Sequence, residues 1–597
     1  MRNQLRIVAA ATALACLMSI CLSPACGGDA SPRAKDTSTA PAAFSAAGDT
    51  YYVSPSGQNS NPGTLAMPWR TPGYGSKQLK AGDTLVILGG RYSLKTFWDD
   101  MVTPPSGDAG GWVTIKGEEG NRPVLAGSDD LFAAVDISGT SYMKIENLEI
   151  TSDNGAHFRE GINGTGGPVE HVVLKDLYIH HLDEGAVDLG DVYDLQVSNC
   201  VMTYCGFGCL MGPEGTQGGW RNVTIDGCTL SYSGHYYQGG PGPGPYDRPD
   251  GFGIEPSDGP IEIKNTLCEH NRGDGLDSKS ANTYIHECIV ANNSCDGVKL
   301  WQGGSKVENT LIYGTGDGVG GASPWAGIVT DSETAGDRFE FINVTVHDNP
   351  SREAYPVYFQ YDSSANIEVL MRNTVIANGF GPVYFGDSVN LTCDHNIFYR
   401  AGEEQQVYVN GREYTAAEFE AGALGEGNLS RDPMFSSPAW GQTGDYHLQA
   451  GSPAIDAGSS QGAPAIDLDG NVRPAGGGYD IGAYEYGSHK PVTPNRTCAH
   501  ASIGATAPST TWYLAEGATA GGFETWVLVQ NPGAQPARVT LTYHTDGGEV
   551  SGPTLNLGPT SRQSVNVGLQ VQSYDISTEV ESDQPVIAER AMYLSMQ

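Results

Sequence analysis

Residues 250–304 read DGFGIEPSDGPIEIKNTLCEHNRGDGLDSKSANTYIHECIVANNSCDGVKLWQGG. Three Asp-Gly turns in this stretch each open a repeat, at Asp250-Gly251-Phe252, Asp274-Gly275-Leu276 and Asp296-Gly297-Val298, 24 and then 22 residues apart. Between the turns, Ile261-Glu-Ile-Lys-Asn-Thr-Leu and Thr283-Tyr-Ile-His-Glu-Cys-Ile-Val alternate apolar and polar residues, the period of a half-buried strand. A unit of 21–24 residues with no helical period reads as one coil of a solenoid. A lone coil cannot bury its inner face, whereas stacked coils share one continuous core.

Working outward, the same pattern recurs across residues 140–400, at Tyr142, Val169, Tyr193, Trp220, Phe339, Ile367 and Val389. Each copy leads into a strand headed by glycine: Gly161, Gly185, Gly206, Gly251, Gly275, Gly297 and Gly327. The expected fold is all-β, a right-handed parallel β-helix whose equivalent residues stack about 4.8 Å apart. Cys200, Cys228 and Cys288 fall in one column with Thr266. Both a ladder of small inward residues and a Cys200–Cys228 disulfide fit that spacing. No CxxC pair or Cys/His spacing suits zinc. One coil is interrupted by an insertion, His235–Pro249, that emerges beside the Asp-Gly turns; it is either a substrate-contacting loop or an inert one.

The chain has 597 residues, 80 of them glycine, a formal charge of −36 and only 17% charged residues. This composition suits a turn-rich exported β protein and argues against nucleic acid, which needs basic stripes. Arg2 and Arg6 precede an apolar run, Ile7–Leu22, that is short for a membrane span. Residues 1–25 are expected to be a signal peptide, with Cys26 resembling a bacterial lipoprotein site. Residues 26–47 read as a flexible tether, 48–486 as the β-helix, 487–508 as a linker and 509–597 as an Ig-like β-sandwich of anchoring or adhesive use. A secreted or surface-attached monomer is expected, meeting the membrane only through a lipid on Cys26.

Setting the glycine-led strands in register turns Phe252, Ile254, Leu276, Ser278, Val298 and Leu300 inward. Glu255, Asp277, Lys279, Lys299 and Trp301 then share an outer face, followed by Asp331, Tyr358 and Tyr384. Carboxylates on adjacent coils repel one another unless a cation lies among them, and calcium suits such oxygen ligands. Asp250, Asp274 and Asp277 make the best cage, with Glu255 a candidate fourth ligand. A plain turn role remains the simpler reading of each Asp-Gly taken singly. Trp301, Tyr358 and Tyr384 are placed to stack on sugar rings, and Lys279, Glu255 and Asp331 to contact substrate.

These residues resemble polysaccharide lyase family nine, which has an Asp-Gly-Phe turn, an Asp-Asp-Gly-x-Asp turn and a Gly-Phe-Lys-Leu-Gly-Gly strand. The matching positions are Asp250-Gly251-Phe252, Gly273-Asp274-Gly275-Leu276-Asp277, and Gly297-Val298-Lys299-Leu300 followed by Trp301-Gln302-Gly303-Gly304. Thr50-Tyr-Tyr-Val and Ala81-Gly-Asp-Thr-Leu also look like the opening of pectate-lyase-like β-helices, and Gly444–Tyr486 like their closing segment; the likeness covers roughly 48–486. It implies calcium on Asp250, Asp274 and Asp277, Lys299 as base with Lys279 its rival, and β-elimination on a pectate-like acidic polysaccharide at alkaline pH. Gly273 stands where the family has a further aspartate, and Trp301-Gln302 is an insertion. A β-helix hydrolase using Glu255, Asp277 and Asp331, an epimerase, and a non-catalytic adhesin are the alternatives.

Overall fold

A computed structural model describes residues 48–316, 324–348, 354–360, 363–487 and most of 496–595. The expected signal peptide, the tether and Cys26 lie outside the described residues.

Three long sheets run the length of the coils, with 13, 12 and 12 strands, parallel except where Arg412–Thr415 turns back on Gln405–Val409 at the end of the third sheet. This is the parallel β-helix the repeat predicts. Pairing runs from coil to coil, as in Val172↔Leu195 and Ile263↔Ile285 of the first sheet, with a register shift in the third sheet between Ile254 and Ser257. The side chains facing inward from all three sheets form one core from Val53 to Phe419.

The described cysteines, Cys200 to Cys393, are all free and buried. Cys200 and Cys228 thus sit in the inward ladder and form no disulfide: each thiol donates to backbone carbonyls, Cys200 Sγ to Ser198 O (3.3 Å) and Cys228 Sγ to Asp226 O (3.6 Å). Gly206 falls short of its strand, which runs Gly208–Gly212; Gly208 pairs with Gly185.

The last coil is closed by a five-residue helix, Ala416–Glu420, held by a Thr415/Glu418 capping box. Its Phe419 ring stacks on Phe398 at 4.9 Å. The segment read as the closing piece lies elsewhere. Phe435, Tyr446, Leu448, Ile481 and Ala483 pack on the outer face of the second sheet, against Leu311, Tyr313, Val375 and Ile397. Asn309, Asn343 and Asn373, one from each of three coils, donate side-chain N–H groups to Ile466, Asp480 and Ser459 carbonyls of this strap.

At the C-terminal end, a seven-stranded antiparallel sheet is organised on one long strand, Ile576–Ser595. The first half of that strand pairs with Ala537–Thr545 and the second half with Phe523–Asn531. Inside the expected linker 487–508, Arg496–Ala501 is a strand of this sheet and pairs with the same long strand. The module therefore begins before residue 509.

Candidate active site

The site is built on the third sheet. One outward column there reads Asp136, Asn163, Asp188, Met211, Gly253, Asp277, Lys299, Val329, Tyr358, Tyr384 and Tyr408 from register pairs alone. Asp277 and Lys299 are direct cross-strand partners. The turn aspartates stand just before these strands. Their placement depends on a buried amide ladder three residues upstream: Asn271 Nδ2 donates to Asn293 Oδ1 at 2.9 Å, and Asn271 Oδ1 accepts from the Ser233 N–H. Each turn is thereby tied to the next.

Every turn aspartate caps the coil that follows. Asp250 Oδ1 accepts from Asp274 N (2.6 Å), Asp274 Oδ1 from Asp296 N (2.8 Å), and Asp296 Oδ1 from Ala326 N (2.9 Å) and Trp325 N. The plain turn role is thus present in all three. For Asp296, wholly buried, it accounts for the residue. Asp250, Asp274 and Asp277 go further, each offering a carboxylate oxygen such that the three lie within 4.8 Å of one another.

Lys299 enters this group from the next coil. Its Nζ lies 2.9 Å from Asp274 Oδ2, 3.6 Å from Asp296 Oδ2 and 3.7 Å from Asp277 Oδ2. Only 6% of Lys299 is exposed, because the Trp301 and Trp325 rings flank its ammonium at 5.6 and 5.3 Å. Burial alone would lower its pKa, but Asp274, Asp277 and Asp296 outweigh that and hold it above the ordinary lysine value. In this arrangement Lys299 is a cation.

Arg248, at the end of the insertion, was not read as a site residue. Its Nη2 donates to Asp274 Oδ1 and Asp296 Oδ2, both at 2.9 Å. Trp325, the other missed residue, covers both cations, with the Arg248 guanidinium 5.9 Å from its ring. The rest of the insertion folds toward earlier coils, where the Tyr236 hydroxyl meets Ser152 Oγ (2.9 Å) and Gln238 N donates to Asp183 Oδ1 (2.7 Å).

The remaining expected residues divide. Trp301 Nε1 donates to Asp277 Oδ1 at 3.1 Å, so it orients a cage carboxylate. Lys279 Nζ sits 2.8 Å from Glu255 Oε1 and 3.6 Å from Asp277 Oδ2. Glu255 is half-exposed in that pair and stands outside the three-carboxylate group. Asp331 lies beyond its strand and accepts from Ser363 N. Tyr358 continues the column, with ring contacts to Tyr355 and Tyr384 at 4.9 Å.

The charges do not balance. Asp250, Asp274, Asp277, Asp296 and Glu255 face Lys299, Arg248 and Lys279, a formal excess of two negative charges. The excess is visible in the carboxyls. Burial and then the Asp274 and Asp277 charges push Asp250 well above the carboxylate range, and burial with Asp274 raises Asp296 to about 6. A bound divalent cation would restore neutrality, and the hard oxygen donors present fit calcium.

Gly273 has a physical explanation. A Cβ built there would lie 2.2 Å from Asp250 Oδ1 and 2.5 Å from the Arg248 carbonyl, and Gly273 N donates to Pro249 O. The returning insertion occupies the place where a further aspartate would stand.

No protein-family model matches the chain. The uncharacterized protein YwoF of Bacillus subtilis (strain 168) is 26% identical over 152 residues, a stretch that is 23% of this chain and 31% of that protein. Among solved structures, XylC in complex with xylose has a TM-score of 0.49 at 11% identity, covering 74% of this chain and 99% of that one. Pectate lyase Pel9A has 0.41 at 14%, covering 74% and 97%. The A-module of the Azotobacter vinelandii mannuronan C-5 epimerase AlgE4 has 0.41 at 14%, covering 55% and 89%. Similarity of this degree carries no information about reaction or substrate.

Proposed function

We propose that the chain is a calcium-dependent polysaccharide lyase that cleaves a uronic-acid-containing, pectate-like glycan by β-elimination. The observation that carries this reading is the cage of Asp250, Asp274 and Asp277 packed against Lys299 on an outward face, with two negative charges uncompensated.

Asp250, Asp274 and Asp277 would hold the ion. When bound, calcium would supply the positive charge that engages a uronate carboxylate and favours loss of the acidic proton beside it. Lys299 Nζ takes the C5 proton; the electron pair left on carbon forms the C4–C5 double bond, and the C4–O bond breaks with the leaving oxygen keeping its electrons. Lys299 accepts that proton only as the neutral amine, which the surrounding carboxylates oppose. Activity therefore rises toward alkaline pH. Trp301 holds Asp277 in place through its indole N–H. Lys279 is more exposed than Lys299 and can meet a second carboxylate of the glycan.

Mass analysis of oligosaccharides released from a uronan tests the reaction class. Elimination leaves one unsaturated end per cut with no water added. Products carrying added water would indicate a hydrolase, and altered sugars in an uncut chain an epimerase; either result refutes the lyase reading.

A further inference from the structure

Three coils toward the N-terminus from Asp277, the same outward column carries Asp188, reached through Gly253 and Met211. Three strand spacings amount to about 14 Å along the axis. Glu160, on the strand Phe158–Gly164, lies two positions before the Ile162↔Val187 pair, opposite Gly185. Gly185 is buried, and a Cβ built there would be in ordinary van der Waals contact with Asp188 Cβ at 3.7 Å.

Two buried oxygens here have no hydrogen-bond partner among the described residues, Glu160 Oε2 and Asp188 Oδ1. Glu160 is only 6% exposed. A buried carboxyl oxygen without a partner is costly. Glu184 is engaged from three sides: Arg159 grips it with Nε at 2.8 Å and Nη2 at 3.2 Å, and Glu160 and Tyr246 make side-chain hydrogen bonds to it. Above it the insertion delivers Tyr246, whose ring lies 5.2 Å from Phe207. Among the described residues the Glu160, Asp188 and Glu184 oxygens do not converge as those of the cage do, and the Arg159 guanidinium is taken by Glu184, so neither a metal nor a uronate carboxylate has its usual partners. A sugar hydroxyl does, because it both donates and accepts.

We propose that Glu160, Asp188 and the Phe207–Tyr246 pair form a subsite for an uncharged sugar residue, so that the substrate is a heteroglycan carrying neutral sugars along with uronate. The assignment of a uronate to the cage rests on the lyase reading; the neutral subsite itself does not. Burial, the Asp188 and Glu184 charges and a hydrogen bond to Glu184 push Glu160 up to about 9, while burial and Glu184 raise Asp188 to about 6. Near neutral pH one carboxyl donates and its neighbour accepts, a match for adjacent hydroxyls. The two aromatic rings offer the apolar surface a sugar face needs.

The test is calorimetric titration of the full chain with uncharged galacto-, arabino- and xylo-oligosaccharides, and separately with oligogalacturonates, each with calcium and with chelator. At least one neutral oligosaccharide should bind in chelator. Asp188→Ala and Tyr246→Ala should each weaken that binding tenfold or more, and Asp274→Asn should leave it unchanged. No neutral binding by the wild type, or binding indifferent to both substitutions, overturns the subsite. So does terbium luminescence that is lost in Asp188→Ala but kept in Asp274→Asn, which would make the cluster a cation site. Asp188-dependent neutral binding in a protein that ignores uronans keeps the subsite and refutes the lyase reading; the converse result does the opposite.

Discussion

Replacing Lys299 with alanine removes a cation that three buried carboxylates share. Asp274 and Asp296 would then keep Arg248 and their backbone N–H donors, and Asp277 would keep Lys279 at 3.6 Å and the Trp301 N–H. The local excess of negative charge grows from two to three. Leaving a buried charge without its partner costs about 3–5 kcal/mol. With an unfolding entropy of about 2.1 cal/mol/K per residue over roughly 440 residues of coils, that cost lowers the melting temperature by about 3–5 °C. Calcium should reverse most of it, since a ligand at 100 times its Kd adds about 2.7 kcal/mol, or about 3 °C here. The calcium-induced rise should be larger in Lys299→Ala than in the wild type, whose own ammonium competes for the same oxygens. Circular-dichroism melts at one fixed scan rate, with calcium and with chelator, measure both effects, and the variant should lack lyase activity in either condition. The reasoning fails if the variant melts with the wild type in chelator, or if calcium shifts neither protein.

Gly273→Asp should not strengthen calcium binding; with its Cβ 2.2 Å from Asp250 Oδ1 and 2.5 Å from backbone, it should lower the melting temperature and weaken the calcium response, both read in the same melts. Trp301→Phe deletes the N–H that orients Asp277 and should cost roughly 10–100-fold in calcium affinity by titration. Asp348 is wholly buried, with Oδ1 accepting from Thr315 N, and burial pushes its carboxyl up to about 7. A folded pKa above the unfolded ~3.9 means that its contribution is fully present below pH ~4 and is lost as pH rises to about 7, up to ~4 kcal/mol. Asp348→Asn should therefore flatten the fall in urea midpoint between pH 4 and 7.5.

The coils were legible because a two-residue alternation repeated at a fixed spacing leaves few ways to bury one face. The same periodicity places Asp277 beside Lys299, since register in a parallel stack follows the inward residues. What escaped came from segments with no period. Arg248 arrives on the return of an irregular insertion and Trp325 on the connection after Gly316, and nothing local says where such segments end. Lys299 was read as an outward residue, as its strand parity requires; its burial follows from the two tryptophans, which parity does not reveal. The short helix that closes the coils did carry a local signal, Thr415 with Glu418 three residues on. The strap at 435–486 lacked one, because its partners, Asn309, Asn343 and Asn373, lie some 80 to 160 residues earlier in the chain. Each Asp-Gly aspartate caps the next coil, and the carboxylates of Asp250 and Asp274 also lie within 4.8 Å of that of Asp277.

The central claim is that the cage and Lys299 act together on a uronan. The most direct measurement is the ultraviolet absorbance of unsaturated product from polygalacturonate and related uronans, followed at alkaline pH with calcium and with chelator. The expected result is a steady rise with calcium on at least one uronan, abolished by chelator and by Lys299→Ala. No rise on any uronan, or a rise that chelator and Lys299→Ala leave intact, would contradict it.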